Sequence, residues 1–258
     1  MEKTRAGIQS VEVGFTLLDA LARAPGPLML RDLAAAAGMS AAKAHRYLVS
    51  FQRLGLVSQD GSTRYDLGPA ALKLGLAAIT RLDAIKLARE RMPALMERIG
   101  HTLALAVWGN FGPTIVHWEE SPQSVTVNLR LGDVMPLLSS ATGRCFAAWV
   151  SRDAIAPLLR EELARARQLG RTDLPRNQTD LNFMLRQVRE HGLARVVDAL
   201  LPGIAGFCAP VFDFDGHLVL GMVAMGSVAS FDTAWDGPVA TSLKAAAQQL
   251  STELGHRP

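Results

Sequence analysis

Apolar residues fall at Val11, Phe15, Leu18 and Leu21 within residues 8–24, a spacing of three and four that draws one stripe along a helix. Pro25-Gly26-Pro27 ends that helix. A short Ala-rich helix over residues 30–38 ends at Gly38, the residue type that most readily adopts the left-handed helix stop. Ser40 is a good N-cap for a third helix over residues 41–54, which turns Ala44, Leu48 and Phe51 inward. The period then shortens to two. Residues 56–59 and 63–67 read as a strand and a returning strand around a tight Asp60-Gly61 turn. Helix, Gly-ended turn, helix and hairpin together predict a winged helix-turn-helix.

Gly68-Pro69 opens a new segment. Residues 71–100 read as one helix to about Leu82 and another after Asp83, with Pro93 kinking the second or marking its first turn. From residue 102 strands and helices are interspersed. Residues 102–109 and 113–120 form paired strands, and 124–132 a third. Residues 139–150 form a helix opened by Ser139 or Ser140, and 153–168 and 178–191 two amphipathic helices. Residues 193–198, 204–213 and 217–226 are strands, and 235–254 a closing helix. The expected class is α+β. A DNA-binding domain spans 1–68, a linker helix 69–82, and a sensor built on a mainly antiparallel sheet 83–258.

Composition narrows this picture. The chain has 258 residues, 49% hydrophobic and 20% charged, so two packed domains are expected. No run approaches the ~18 apolar residues of a membrane span, and the first residues lack a secretory core, so the expected location is cytoplasmic. Cys145 and Cys208 lie too far apart in sequence to suggest a disulfide framework. Residues 1–80 hold nine Lys/Arg against six Asp/Glu, whereas residues 81–258 hold 18 of each, so the net charge of +3 sits in the first domain. That placement suits a nucleic-acid module joined to a neutral partner domain.

The third helix carries the candidate DNA contacts. Ala41 and Ala42 are small enough to allow close approach. Lys43 and Arg46 are suited to phosphates or guanine, and His45 can donate a hydrogen bond. Ser40 caps the helix, and residues 40–54 contain no acid. Arg31 on the preceding helix and Arg64 on the wing are candidate backbone clamps. Taken alone, a Lys-x-His-Arg run also describes an ordinary solvated helix face; the turn before it and the hairpin after it favour double-stranded DNA.

These stretches, IQSVEVGFTLLDALA, LRDLAAAAGMSAAKAHRYLVSFQRLGLVSQDG and RYDLG, resemble the N-terminal domain of the IclR family of bacterial regulators. LGDVMPLLSSATGRCFAAWV and GFCAPVFDFDG resemble its effector-domain landmarks. The resemblance implies a winged-helix domain, a dimerising linker helix and a GAF-like sensor. It also implies a homodimer or dimer of dimers on a palindromic operator, and a small organic or aromatic acid as effector.

Residues 139–143, Ser-Ser-Ala-Thr-Gly, open a helix whose free N–H groups and hydroxyls (Ser139, Ser140, Thr142) suit either plain capping or a ligand carboxylate; the resemblance favours the carboxylate. It also points to Val127, Leu129, Met135, Ala141, Ile204, Gly206, Val223 and Met225 as a cavity wall, with Asp198 and Cys208 as further expected effector-binding residues. Residue by residue, ordinary core packing explains each; as a set they form an apolar cavity with a polar end. The chain departs from the family pattern at Leu138, Arg144, Val196, Ala199 and Gly206. These changes shift the expected effector from a small oxoacid to something more hydrophobic.

Two rival readings fit the sequence less well. An enzyme lacks support: no nucleophile elbow, phosphate loop or metal-ligand spacing is present, so no catalytic residue, metal or cofactor is expected. Cys145 beside Arg144 is better explained as a buried helix cysteine. A ligand-independent DNA-binding protein would not need some 170 further residues with an apolar pocket.

Overall fold

The computed structural model describes residues 7–79, 83–122 and 129–257. The chain divides into two compact units, Met1–Leu82 and Asp83–Pro258. In the first, α1 (Gln9–Arg23), α2 (Leu30–Ala36) and α3 (Ala41–Arg53) precede the hairpin β1 (Val57–Gln59) and β2 (Tyr65–Leu67), followed by α4 (Pro69–Ile79). Leu17, Leu21, Leu33, Ala34, Ala44, Leu48, Val57 and Tyr65 form its core.

The inward face of α1 differs from the expected stripe. Gly14, Leu17 and Leu21 are buried, whereas Val11 and Phe15 are about two-thirds exposed. The cause is Gly14. Tyr47 and Phe51 of α3 pack so close that a Cβ on Gly14 would lie 3.1 and 3.0 Å from their rings. A helix tends to approach its neighbour along the side with least bulk, and a reading based on large apolar residues passes over glycine.

The wing connection is also longer than the expected two-residue turn. Residues 60–64 join the strands, with Asp60 Oδ1 accepting from the N–H groups of Ser62 and Arg64 and from Ser62 Oγ. These bonds, the Ser62 hydroxyl first, hold the Asp60 carboxyl below its ordinary pKa. Thr63 adopts a φ of 63° to close the loop.

The second unit is a five-stranded sheet with helices on both faces. Its strands are β3 (Thr102–Gly109), β4 (Gly112–Glu119), β5 (Ala194–Val197), β6 (Ile204–Phe212) and β7 (Leu218–Ser227). Their order is β4-β3-β7-β6-β5, and every neighbouring pair is antiparallel. Side chains alternate across the strands, which builds two cores. Ala104, Val196, Cys208, Val223 and Met225 face α6 (Ala141–Trp149), α7 (Arg152–Gln168) and α8 (Gln178–His191). Leu103, Ala205, Phe207, Met222 and Ala224 face α5 (Ala84–Ile99) and α9 (Pro238–Glu253). Pro93 lies inside an unbroken α5 rather than in its first turn.

The strand expected over residues 124–132 is not found in its described part; residues 123–128, and with them Val127, lie outside the described residues. Residues 129–132 are irregular chain ending in a turn, with Gly132 at φ 92°. Asp133 Oδ2 captures the N–H of Arg130 at 2.8 Å. The segment is laced to β4 by Gly132 N–H to Ile115 O (2.8 Å) and Met135 N–H to Pro113 O (2.7 Å).

Candidate DNA interface and effector cavity

Gly38, at φ 65°, turns the chain between α2 and α3. Ser40 then caps α3, its Oγ accepting from Lys43 N–H at 3.4 Å. With Ala44 and Leu48 buried, helical geometry leaves Ala41, Ala42, Lys43, His45 and Arg46 on the solvent side, and all five are exposed. Among the described residues the side chains of Lys43, His45 and Arg46 make no ion pair, so their charge and donors stay available to an outside partner. Arg31 is 90% exposed but shares an ion pair with Asp32 at 3.2 Å, so its charge is partly offset. Arg64 sits at the end of the wing loop, and its Nη1 reaches Pro27 O at 3.4 Å, tying the wing to the loop after α1. A cationic, acid-free helix beside a wing is the arrangement that enters a major groove with its N-terminal end.

In the second unit nine predicted residues line one cavity: Leu129, Met135, Ser140, Ala141, Thr142, Ile204, Gly206, Val223 and Met225. Val196, Leu200, Leu201 and Ala205 complete it. Val196 enters the wall because it pairs with Gly206 across β5 and β6; Leu200 and Leu201 come from a loop with no period to read. That loop is shaped by Asp198, at φ 57°, whose Oδ1 accepts from Gly203 N–H at 2.7 Å. Asp198 is therefore a loop-holding residue outside the cavity wall. Cys208 is also outside it, sealed in the core against Cys145. Burial, first of all, and the contact with Cys208 push the Cys145 thiol well above its ordinary pKa, which makes it a poor nucleophile.

The polar end is quieter than expected. Ser140 Oγ accepts from Gly143 N–H at 2.8 Å and donates to Pro136 O at 2.6 Å, the bonding of a plain cap. The N–H groups of Leu137 and Leu138 are occupied by the two carboxylate oxygens of Glu162, at 2.7 and 2.9 Å. Burial raises the Glu162 pKa above its ordinary value, and these two bonds oppose the rise without cancelling it. Thr142 Oγ1 keeps no hydrogen-bond partner among the described residues although the residue is 1% exposed.

The cavity is also smaller than the hollow receptor expected, about 40 Å³. A water takes about 10–15 Å³ by this measure and ligand pockets start near ~300 Å³. A larger cleft of about 460 Å³ lies next to it, lined in part by Ser139, Glu162 and Arg165. Met135 and Leu200 line both spaces and form the partition between them.

Known proteins share this arrangement. The family model described as the IclR helix-turn-helix domain matches residues 10–61, and that for the bacterial transcriptional regulator IclR C-terminal domain matches residues 76–252. The chain belongs to the IclR family. It is 26% identical over 257 residues to the HTH-type transcriptional regulator KdgR of Escherichia coli K12, covering 99% of this chain and 96% of that one. It is 30% identical over 251 residues to the glycerol operon regulatory protein of Streptomyces griseus, covering 96% and 97%. The crystal structure of Pseudomonas aeruginosa HmgR superposes with a TM-score of 0.87 at 36% identity, covering 96% of this chain and 99% of that one. As an IclR-family protein the chain is a DNA-binding transcriptional regulator. Among its described residues no helix is long and apolar enough to cross a membrane.

Proposed function

We propose that this IclR-family regulator binds its operator as a homodimer, or as a dimer of dimers, and that an aromatic or branched carboxylic acid modulates the binding. The observation that carries the effector reading is the cavity wall. Eight aliphatic or thioether side chains (Leu129, Met135, Val196, Leu200, Leu201, Ile204, Val223 and Met225) surround the single unpartnered hydroxyl of Thr142. A wall of this kind receives an apolar body and offers one polar handle at the start of α6, where the helix dipole favours a carboxylate.

The acid is admitted by displacement of Met135 and Leu200, which joins the small cavity to the adjoining cleft. Met is unbranched and Leu200 sits on a loop, so both can give way at low cost. The dimer reading is supported by α4, where Leu72, Leu74 and Leu76 are each more than half exposed. Arg31, Ser40, Ala42, Lys43, His45, Arg46 and Arg64 form the proposed DNA contacts.

Effector and operator binding are coupled, and such coupling is reciprocal: operator DNA must change effector affinity by the same factor as effector changes operator affinity. The test is a thermal-shift screen of the full chain against aromatic and branched aliphatic acids, followed by operator titration with each hit. An acid at a hundred times its Kd adds about 2.7 kcal/mol to the native state and raises the melting point of the second unit by several degrees. A screen in which no acid moves either the melting point or operator affinity overturns the proposal.

A further inference from the structure

Apart from the apolar cavity, the second unit carries a cleft of about 670 Å³ whose wall includes four arginines, Arg144, Arg176, Arg186 and Arg195. It shares no lining residue with the cavity of about 40 Å³. We propose that this cleft is a second ligand site, and that it takes a small anion carrying two or more negative charges.

Two of the guanidinium groups are anchored by backbone carbonyls and not by acids. Arg144 Nε donates to Leu138 O at 2.8 Å and its Nη1 to Arg195 O at 3.0 Å. Its Nη2 has no partner among the described residues and is not sealed from the cleft. Arg195 Nη1 donates to Thr233 O at 2.9 Å, and its guanidinium lies 4.2 Å from the centre of the Trp235 ring, which also stacks on His191. Trp235 and the carbonyls therefore fix the orientation of both forks before any ligand arrives. A planar fork held ready in this way is the geometry that recognises carboxylate or phosphate oxygens in pairs.

The charges are not balanced from within. Among the described residues none of the four arginines is in an ion pair. Of the two acids on the wall, Asp173 pairs with Arg171, and Asp180, whose Oδ2 accepts from the backbone N–H of Arg176 at 3.1 Å, leaves one carboxylate against four guanidinium groups. Burial, helped by the neighbouring charge of Arg195 and opposed by Asp173, lowers the Arg144 pKa to about 10. The cost of holding two cations together out of bulk water falls when an anion sits between them. Thr172, Thr179 and Gln187 add neutral hydrogen-bonding groups, and the space exceeds that of a single inorganic ion. Di- and tricarboxylates and phosphate esters share the required chemistry.

The experiment is calorimetric titration of the full chain at low salt with citrate, with inorganic phosphate and with acetate as the singly charged control. Citrate, phosphate or both bind at one site per chain, acetate binds at least tenfold more weakly, and added salt weakens the binding. Which of the two binds identifies carboxylate or phosphate as the native chemistry. Arg195→Gln lowers the affinity at least tenfold. The double variant Arg176→Gln/Arg186→Gln alters only exposed side chains, so it tests the site without endangering the fold; it lowers affinity at least threefold. No binding of citrate or phosphate by the unaltered chain, or wild-type affinity in both variants, overturns the proposal.

Discussion

Ser140 Oγ sits 2.8 Å from the backbone N–H of Gly143 and thereby fixes the first turn of α6. The glycine is needed for a separate reason. A Cβ there would lie 1.9 Å from Pro136 O and 2.5 Å from Leu137 Cα, both main-chain atoms that cannot step aside. The cap and the glycine together let residues 136–138 cross the start of the helix and present Met135 and Ala141 to the cavity.

Gly143→Ala is accordingly expected to destabilise the second unit by at least about 3 kcal/mol, in the range of severe overpacking. Ser140→Ala is expected to cost about 1–2 kcal/mol, because it removes a buried cap. Urea unfolding followed by circular dichroism checks both. Equal losses for the two variants would show that the close approach of Pro136 does not matter.

Arg46→Ala and Lys43→Ala each remove one unpaired cation from the exposed face of α3. If the side chain contacts a phosphate, operator affinity falls, and the slope of log affinity against log salt shrinks by about one. If Arg46 reads a base edge, its loss costs about 1–3 kcal/mol and relaxes preference at one position. Fluorescence anisotropy across a salt series separates these outcomes, and the thermal stability of the second unit stays at the wild-type value.

His101 is almost fully buried and its ring lies 4.9 Å from that of Phe231. Burial lowers its pKa below the ordinary 6.5, against a smaller opposing effect of a backbone hydrogen bond at Ser230. The unfolded chain therefore takes up this proton more readily than the folded one. The stability that depends on neutral His101 is present above pH 6.5 and is lost as the pH falls through the lower folded value. His101→Gln should flatten this part of the pH profile. Urea midpoints at pH 7.5 and at pH 5 for both proteins provide the check.

Met135→Ala and Leu200→Ala thin the partition between the cavity and the adjoining cleft. Each is expected to cost about 2–5 kcal/mol at most, less for the partly buried Leu200, and to enlarge the space open to an acid. Larger aromatic acids should gain affinity relative to smaller ones. A thermal-shift panel with acids of graded size reads this directly, and an unchanged size preference would place the effector elsewhere.

Much of this architecture was legible in the chain. Helix period, the Gly38 stop and the Ser40 cap locate α3, and the absence of acids along it marks its outward face. Strand alternation puts Ile204 with Gly206 and Val223 with Met225 on one face, and all four line the cavity of about 40 Å³. What escaped was set by contacts between distant segments. The burial of Gly14 depends on Tyr47 and Phe51. The path of residues 129–135 depends on bonds to Pro113 and Ile115, and the entry of Leu200 and Leu201 depends on the Asp198 loop. The cavity volume could not be read either, since a list of lining residues does not say how far the walls have closed.

Strand β6 is buried on both faces from Phe207 to Val211: Cys208 belongs to one core, Ala205 and Phe207 to the other, and the partly exposed Gly206 lines the cavity. A guest pressing on Gly206 therefore cannot be absorbed by loose surface residues. Close-packed interiors compress little, so a shift of that strand is felt at once by Phe231 and Trp235 behind it. On the proposed effector reading the sheet would act as a stiff diaphragm, passing pressure from the cavity side to the helices behind it.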